Sequence, residues 1–295
     1  MKQRLFVVWN EFLFARISPI PLCLFRIIFG SLVFADLLAL FPSRFTWWSA
    51  HGILSRAGAI QFLGTNHLNV LNWFPETDSW LTLLYLVFIV ASIALTLGIF
   101  SRVSSFIVYL GLTSLAHRNP LILNSGDTFL RVCSFWLIFT PSGARFSISS
   151  FRFAPPEPVT IEAWGLRILQ IQFMIVYAMT FLSKLQGSEW LDGTAVGTAL
   201  SLHEFARFPV PNFVFLPWMN HLLTWGSLLI EASLGFLIWL KPLRLWIIFA
   251  ALALHLGIDY AMNIPLFEWI MIGSLSLFVS PELFRRPAKS TLQNR

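Results

Sequence analysis

The chain has 295 residues, of which 57% are hydrophobic and 12% charged, and its formal net charge is +6. That is more apolar surface than one water-soluble core can hide, and about half the charge of an ordinary soluble domain. The basic residues are scattered between apolar runs, which excludes a concentrated nucleic-acid-binding face and fits membrane-flanking anchors touching anionic lipids, while Cys23 and Cys133, each inside an apolar run, exclude a disulfide framework or cysteine metal cluster.

Residues 1–17 set Lys2, Arg4 and Arg16 around Trp9 and Phe12, the pattern of a helix lying along a membrane surface. The first long apolar run, 18–41, carries Arg26 and Asp36 and lacks a small-x-small cleavage site. It is predicted to be a retained span rather than a signal peptide. At about 20 apolar residues per crossing, seven more spans are predicted at 79–100, 102–117, 127–141, 163–185, 219–240, 243–261 and 263–281. The last two are separated by Met262-Asn263. The predicted fold is all-α, a polytopic bundle of about eight transmembrane helices. It divides into an interfacial segment 1–17, a membrane domain 18–285 and a tail 286–295.

Charge orients this arrangement. With eight spans, twelve Lys and Arg residues fall on the side of the termini, and only Arg44, Arg56, Arg118 and Arg207 on the other. The positive-inside rule then places both termini in the cytoplasm of a multi-pass cell-membrane protein. Two long segments lie on the opposite side. Residues 42–78 hold Trp47, Trp48, His51, His67 and Trp73, and residues 186–218 hold Trp190 and His203. Both read as re-entrant or interfacial caps, although any one of these tryptophans also fits an ordinary aromatic belt. The histidines there lack ligand spacing, and no metal site is expected.

Charged side chains inside spans each need a partner or a cavity, since one at mid-membrane costs at least ~3 kcal/mol. Asp36, Asp127, Arg131, Lys184, His255 and Asp259 fall in the same half of the bilayer and are expected to meet in one pocket. Asp127 and Arg131 stand at i,i+4, as do His255 and Asp259; the former pair also reads as a structural ion pair. Arg26, Asp36 and Arg167 read as clamps between helices. Gln170, Tyr177 and Lys184 recur every seven residues as one polar stripe, and Thr224, Ser227 and Glu231 form another. Glu231, if protonated, is a donor between helices, and His255 by itself reads as a satisfied bundle histidine. Lys184, in an apolar wall, is either a neutral amine fit to act as a general base or a lysine snorkelling to the interface.

Leu24-Phe-Arg26-Ile-Ile-Phe-Gly30 with Asp36, Leu97-Gly-Ile-Phe-Ser-Arg102, Tyr177 with Lys184-Leu185 and Trp190, and His255 with Met262-Asn263 and Leu266-Phe267 together carry a resemblance. The chain resembles the membrane portion of vitamin K-dependent gamma-carboxylases, the HTTM (horizontally transferred transmembrane) domain. His117-Arg-Asn-Pro120 followed by Asn124-Ser-Gly-Asp127 and Arg131 is similar to its stand-alone bacterial members. The resemblance implies a reduced naphthoquinone of the vitamin K or menaquinol type as cofactor. It implies Lys184 as the base toward the quinol, with His255 at the place of a carboxylase histidine and Glu231 at that of an aspartate. Gly126-Asp127 stands where carboxylases have an Asn-His pair, and the Lys184-to-Trp190 spacing is one residue longer than in the animal enzyme.

Two functions are therefore expected. In the first, a quinol-dependent carboxylase- or epoxidase-like membrane enzyme, Lys184 is the base, His255 and Asp127 orient or relay protons, and Arg131 balances the acid. Arg131, Tyr177, Glu231 and Trp190 surround the ring. In the second, the chain is a non-catalytic maturation or scaffold factor for a secreted peptide or partner protein, similar to the membrane protein that matures a sporulation-delaying toxin. The absence of an extramembrane domain up to Arg295 speaks against protein carboxylation by this chain alone. A transporter is disfavoured by the lack of an internal repeat. The expected location is the bacterial inner membrane, with lipids and a peptide or protein on the outer face as partners and no nucleic acid.

Overall fold

The apolar runs fold as antiparallel helices, because a backbone that leaves water must satisfy its polar groups within its own segment. The structure is a computed structural model and describes residues 2–64, 66–152 and 159–284; the tail at 286–295 lies outside them. It is 75% helical. In chain order the main helices are α1 (Lys2–Phe14), α2 (Ile20–Leu40), α3 (Arg44–Trp48), α4 (Arg56–Leu63), α5 (Asp78–Leu97), α6 (Ser101–Arg118) and α7 (Ser125–Phe139). After α8 (Ile148–Arg152) come α9 (Trp164–Lys184), α10 (Ser188–Leu191), α11 (Ala195–Leu200), α12 (Pro217–Ala232), α13 (Lys241–Ala261) and α14 (Phe267–Ser274). Two short strands, β1 (Arg16–Ile17) and β2 (Ile161–Glu162), pair antiparallel and strap α1 to the start of α9.

Two four-helix groups make up the bundle. Helices α2, α5, α6 and α7 pack in sequence, as do α9, α12, α13 and α14, and the groups meet where α2 and α7 touch α9 and α14. Phe25, Tyr85, Leu95, Leu137, Phe173 and Phe278 fill the shared core. Helices α2, α5, α9 and α13 are each long and apolar enough to cross a membrane.

The eight expected runs all contain helix, but not all at the expected length. The last begins at Phe267 rather than at 263 and is a twelve-residue stretch, Phe267–Phe278, that tightens to a 3₁₀ turn over Leu275–Phe278. At 1.5 Å per residue that stretch is about 18 Å long, short of a ~30 Å hydrocarbon core. Pro265 and the left-handed Leu266 (φ 59°) delay its start. The segments 41–77 and 185–216 hold short helices: α3 and α4 in the first, α10 and α11 in the second.

Local chemistry fixes several joints. Gly98 ends α5 at φ 71°, a left-handed cap that suits glycine, and a Cβ there would lie 2.6 Å from Arg26 Nη1. Arg26 is fully buried and donates to the carbonyls of Ser142 (2.9 Å) and Phe146, so it clamps the loop after α7 as expected. Arg167 holds α1, donating to Phe12 O at 3.4 Å and lying over the Phe12 and Trp239 rings. Past Ala232 the helix widens into a π turn, Ser233–Leu237, where Gly235 lets the backbone approach Ala178 of α9 so closely that a Cβ would lie 2.9 Å from Ala178 N.

Candidate functional site

The polar stripe on α9 organises the second helix group. Gln170, Tyr177 and Lys184 sit two turns apart on one face, and each reaches a different helix. Gln170 Nε2 donates to Leu277 O (2.7 Å) beyond α14, Tyr177 Oη bonds His255 Nε2 (2.6 Å) on α13, and Lys184 Nζ meets Glu231 Oε1 (2.6 Å) on α12. Three cross-links from one helix face set the position of α9 against its neighbours. The stripe on α12 behaves in kind. Thr224 is fully buried and accepts from Val196 N at 3.1 Å, and Ser227 donates to Thr224 O at 2.8 Å, turning that face toward α11.

Tyr177 and His255 continue into a chain. His255 Nδ1 bonds Glu268 Oε2 at the first turn of α14, so Glu268, His255 and Tyr177 are joined in line across three helices. The three are 1%, 3% and 4% exposed, which removes bulk water from every link. The second carboxylate oxygen of Glu268, Oε1, and that of Glu231, Oε2, are buried with no hydrogen-bond partner among the described residues. Two buried acceptors therefore remain to be satisfied, each worth about 1–3 kcal/mol when left without a donor.

Lys184 has both an acidic and an aromatic neighbour. Its ammonium nitrogen is 4.1 Å from the centre of the Trp190 ring and its side chain is 22% exposed, while Glu231 is 8% exposed. The sequence placed this lysine in an apolar wall near an aromatic cap. The cap is Trp190, and the wall contains a carboxylate. Lys184 and Glu231 are thus one proton-sharing pair, with the proton on the amine in the ionic form or on the carboxyl in the neutral form.

The other residues expected in the same pocket stand apart. Asp127 Oδ2 accepts the backbone N–H of Asn124 (2.7 Å) and Asn124 Oδ1 accepts from Gly126 and Asp127, a reciprocal cap at the start of α7. Among the described residues Asp127 makes no ion pair with Arg131, whose Nη2 donates to Thr128 Oγ1 at 3.2 Å. The reason is geometric: the carboxylate is taken by the helix terminus. Asp36, Asp127 and Arg131 line a separate cavity of about 50 Å³ beside Trp48, between α2, α6 and α7. Asp36 has no ion-pair partner among the described residues, so it is not the clamp expected. Asp259 pairs with Arg207 at 2.7 Å on the rim and does not join His255. Trp48 is buried and donates to Leu115 O (3.1 Å), and Trp47 to Ser43 Oγ (3.0 Å), which makes both structural. No group of three or more His, Cys, Asp or Glu that could hold a metal occurs among the described residues.

Glu268 is the member sequence reasoning missed. A charge inside an apolar run was the available signal, as it was for Glu231. Glu231 Oε2 and Glu268 Oε1 are buried acceptors to which a ligand hydroxyl could donate, and Trp190 offers a ring face beside Lys184. The family model of the HTTM domain matches residues 14–283, nearly the whole chain. No solved structure matches it.

Proposed function

The chain belongs to the HTTM domain family, and from that premise we propose a multi-pass inner-membrane protein that binds a reduced naphthoquinone at Lys184 and Tyr177 and takes up its hydroxyl protons. The coarser part stands on the family and on four helices able to cross a membrane: it is an integral membrane protein. In the finer reading, eight helices embed in the bilayer, the two cap segments face outward, both termini face the cytoplasm, and α1 lies along the inner surface with Phe6 and Trp9 toward lipid.

One observation carries the proposal. Two acid–base assemblies, Lys184–Glu231 and Tyr177–His255–Glu268, open from a single face of α9 and are both largely withdrawn from water. A structural salt bridge needs only one of them, and a buried carboxylate normally has its second oxygen satisfied. When bound, a reduced naphthoquinone supplies two acidic hydroxyls and the capacity to react with oxygen. The protein's part is local. Glu231 Oε2 accepts a hydroxyl and orients it, Lys184 takes a proton once Glu231 holds the neutral form of the pair, and Trp190 screens the amine from water. A lipid-borne ligand enters sideways through the bilayer and needs no aqueous path.

The test is quinol consumption by purified protein in nanodiscs, compared with Lys184→Met. The expected result is a rate that falls to background in the variant while the helical content is kept. An unchanged rate would remove Lys184 as the base.

A second reading rests on the cap at 185–216 and the start of α12. Phe208, Phe213 and Trp218 are 48%, 53% and 60% exposed there. As a maturation or scaffold factor the protein would use this rim to hold a secreted peptide. Replacing those three residues by Ser would then abolish peptide maturation, and Lys184→Met would leave it intact.

A further inference from the structure

We infer that Tyr177, His255 and Glu268 form a proton wire, in which Tyr177 Oη receives a proton from a bound hydroxyl and Glu268, thirteen residues beyond His255 and on the next helix, stores it. The inference deepens the quinol reading and rests on it for the source of the proton, while the state of the wire before any ligand binds does not.

The geometry dictates the direction. Glu268 is 99% buried, and its Oε2 is hydrogen-bonded to His255 Nδ1. With Glu268 as a carboxylate, the proton between them sits on Nδ1, which leaves a lone pair on Nε2. Tyr177 Oη, 2.6 Å from Nε2, must then be the donor. A tyrosine that spends its own proton this way keeps its oxygen lone pairs free to accept one from a ligand. Glu268 therefore acts at Tyr177 through the imidazole, by choosing its tautomer.

Transfer along the wire is balanced at each link. Tyr177 Oη accepts a hydroxyl proton and gives its own to His255 Nε2. His255 gives the Nδ1 proton to Glu268 Oε2. The end state is a negative charge left on the ligand oxygen, a neutral phenol at Tyr177, a neutral imidazole with its proton on Nε2 and a neutral carboxylic acid at Glu268. Tyr177 and His255 have each exchanged one proton, Glu268 has gained one, and in net one proton has moved from the ligand to Glu268. The charged neighbours bear on this in opposite senses. Glu231 faces the same interior from α12 and Lys184 lies two turns along α9, so the Lys184–Glu231 pair adds little net charge beside the oxyanion. The interior position of Glu268, with no cation against it among the described residues, suits a group that ends neutral.

The experiment has two arms. In the first, protein whose His51, His67, His117, His203 and His221 are replaced by Gln leaves His255 as the one histidine, and ¹⁵N NMR in nanodiscs without ligand reads its tautomer. We expect the proton on Nδ1, and in Glu268→Gln a shift to the Nε2-protonated form or a mixture. An imidazole protonated on Nε2 alone in this background, with Glu268 and Tyr177 intact and helical content kept, would overturn the wire. In the second arm, infrared difference spectra are taken on adding a reduced naphthoquinone. We expect the carbonyl stretch of a protonated carboxylic acid to appear in the native chain and to be lost in Glu268→Gln and Tyr177→Phe. Quinol that binds without producing this band overturns the wire and leaves the quinol reading standing. Failure of quinol to bind, with the expected tautomer in the first arm, overturns the quinol reading and leaves Glu268 in control of the tyrosine.

Discussion

Lys184 on α9 and Glu231 on α12 are held 2.6 Å apart, with Glu231 largely buried and one of its oxygens still without a donor. Removing either partner strands the other. For a buried pair that costs about 3–5 kcal/mol, and Glu231→Leu should fall at the low end, since the lysine it strands is 22% exposed. The double variant Lys184→Met/Glu231→Leu should regain most of the loss. Thermal unfolding of both single variants and the double in detergent measures the coupling, and simply additive losses would show that the two do not act as a pair.

Gln170 fastens the opposite end of the same stripe to Leu277 O at 2.7 Å. Gln170→Leu leaves a buried carbonyl without its donor, a loss of about 1–3 kcal/mol. The final helical segment should loosen first. Limited proteolysis is expected to cut near residues 279–284 faster in the variant than in the native chain, at unchanged helical content.

Two glycines give opposite expectations. Gly98→Ala places a Cβ at a left-handed position against Arg26 and Ser147, combining a backbone penalty of about 1–2 kcal/mol with steric overlap. Gly257 lies within α13 with nothing within 4 Å of its Cβ position, so Gly257→Ala should be neutral or stabilise by up to about 1 kcal/mol. Melting temperatures of the two variants decide it, and a Gly98→Ala protein as stable as the native one would contradict the clamp built around Arg26.

The orientation can be read chemically. The two native cysteines, Cys23 and Cys133, are buried, so an introduced thiol reports with little background. Ser188→Cys at the start of α10 and Ser149→Cys in α8 are exposed positions on opposite ends of the bundle. An impermeant maleimide should label the first in intact cells and the second only after permeabilisation. The reverse pattern would invert the proposed topology.

Much of the fold was legible because hydropathy and helix period report on single segments. The α9 stripe was visible as a seven-residue recurrence, and the partnership of Lys184 with Trp190 as proximity in sequence. What each stripe residue reaches was not, because partners on other helices follow from packing. Lys184 and Glu231 are 47 residues apart, and no periodicity links them. Asp127 was assigned to the site on its charge and its depth in the bilayer. The pattern Asn124-x-x-Asp127 ahead of an apolar run already marked a helix start, and the capping bonds that satisfy this terminus draw the carboxylate away from Arg131. Glu268 was passed over beside Pro265 and Phe267, where a charge looks interfacial. Its burial depends on α14 starting late and directing its first turn inward.

The π turn at Ser233–Leu237 has a bearing on how such a protein can change over generations. A turn wider than an α-turn accommodates one more residue than the hydrogen-bond ladder needs. Losing a single residue there would let the backbone relax to ordinary α-helix with the flanking turns still in register, keeping Glu231 upstream and Trp239 downstream on the faces they now hold. A change of one residue in length is thereby absorbed at this turn without moving the half of the helix that holds the acid.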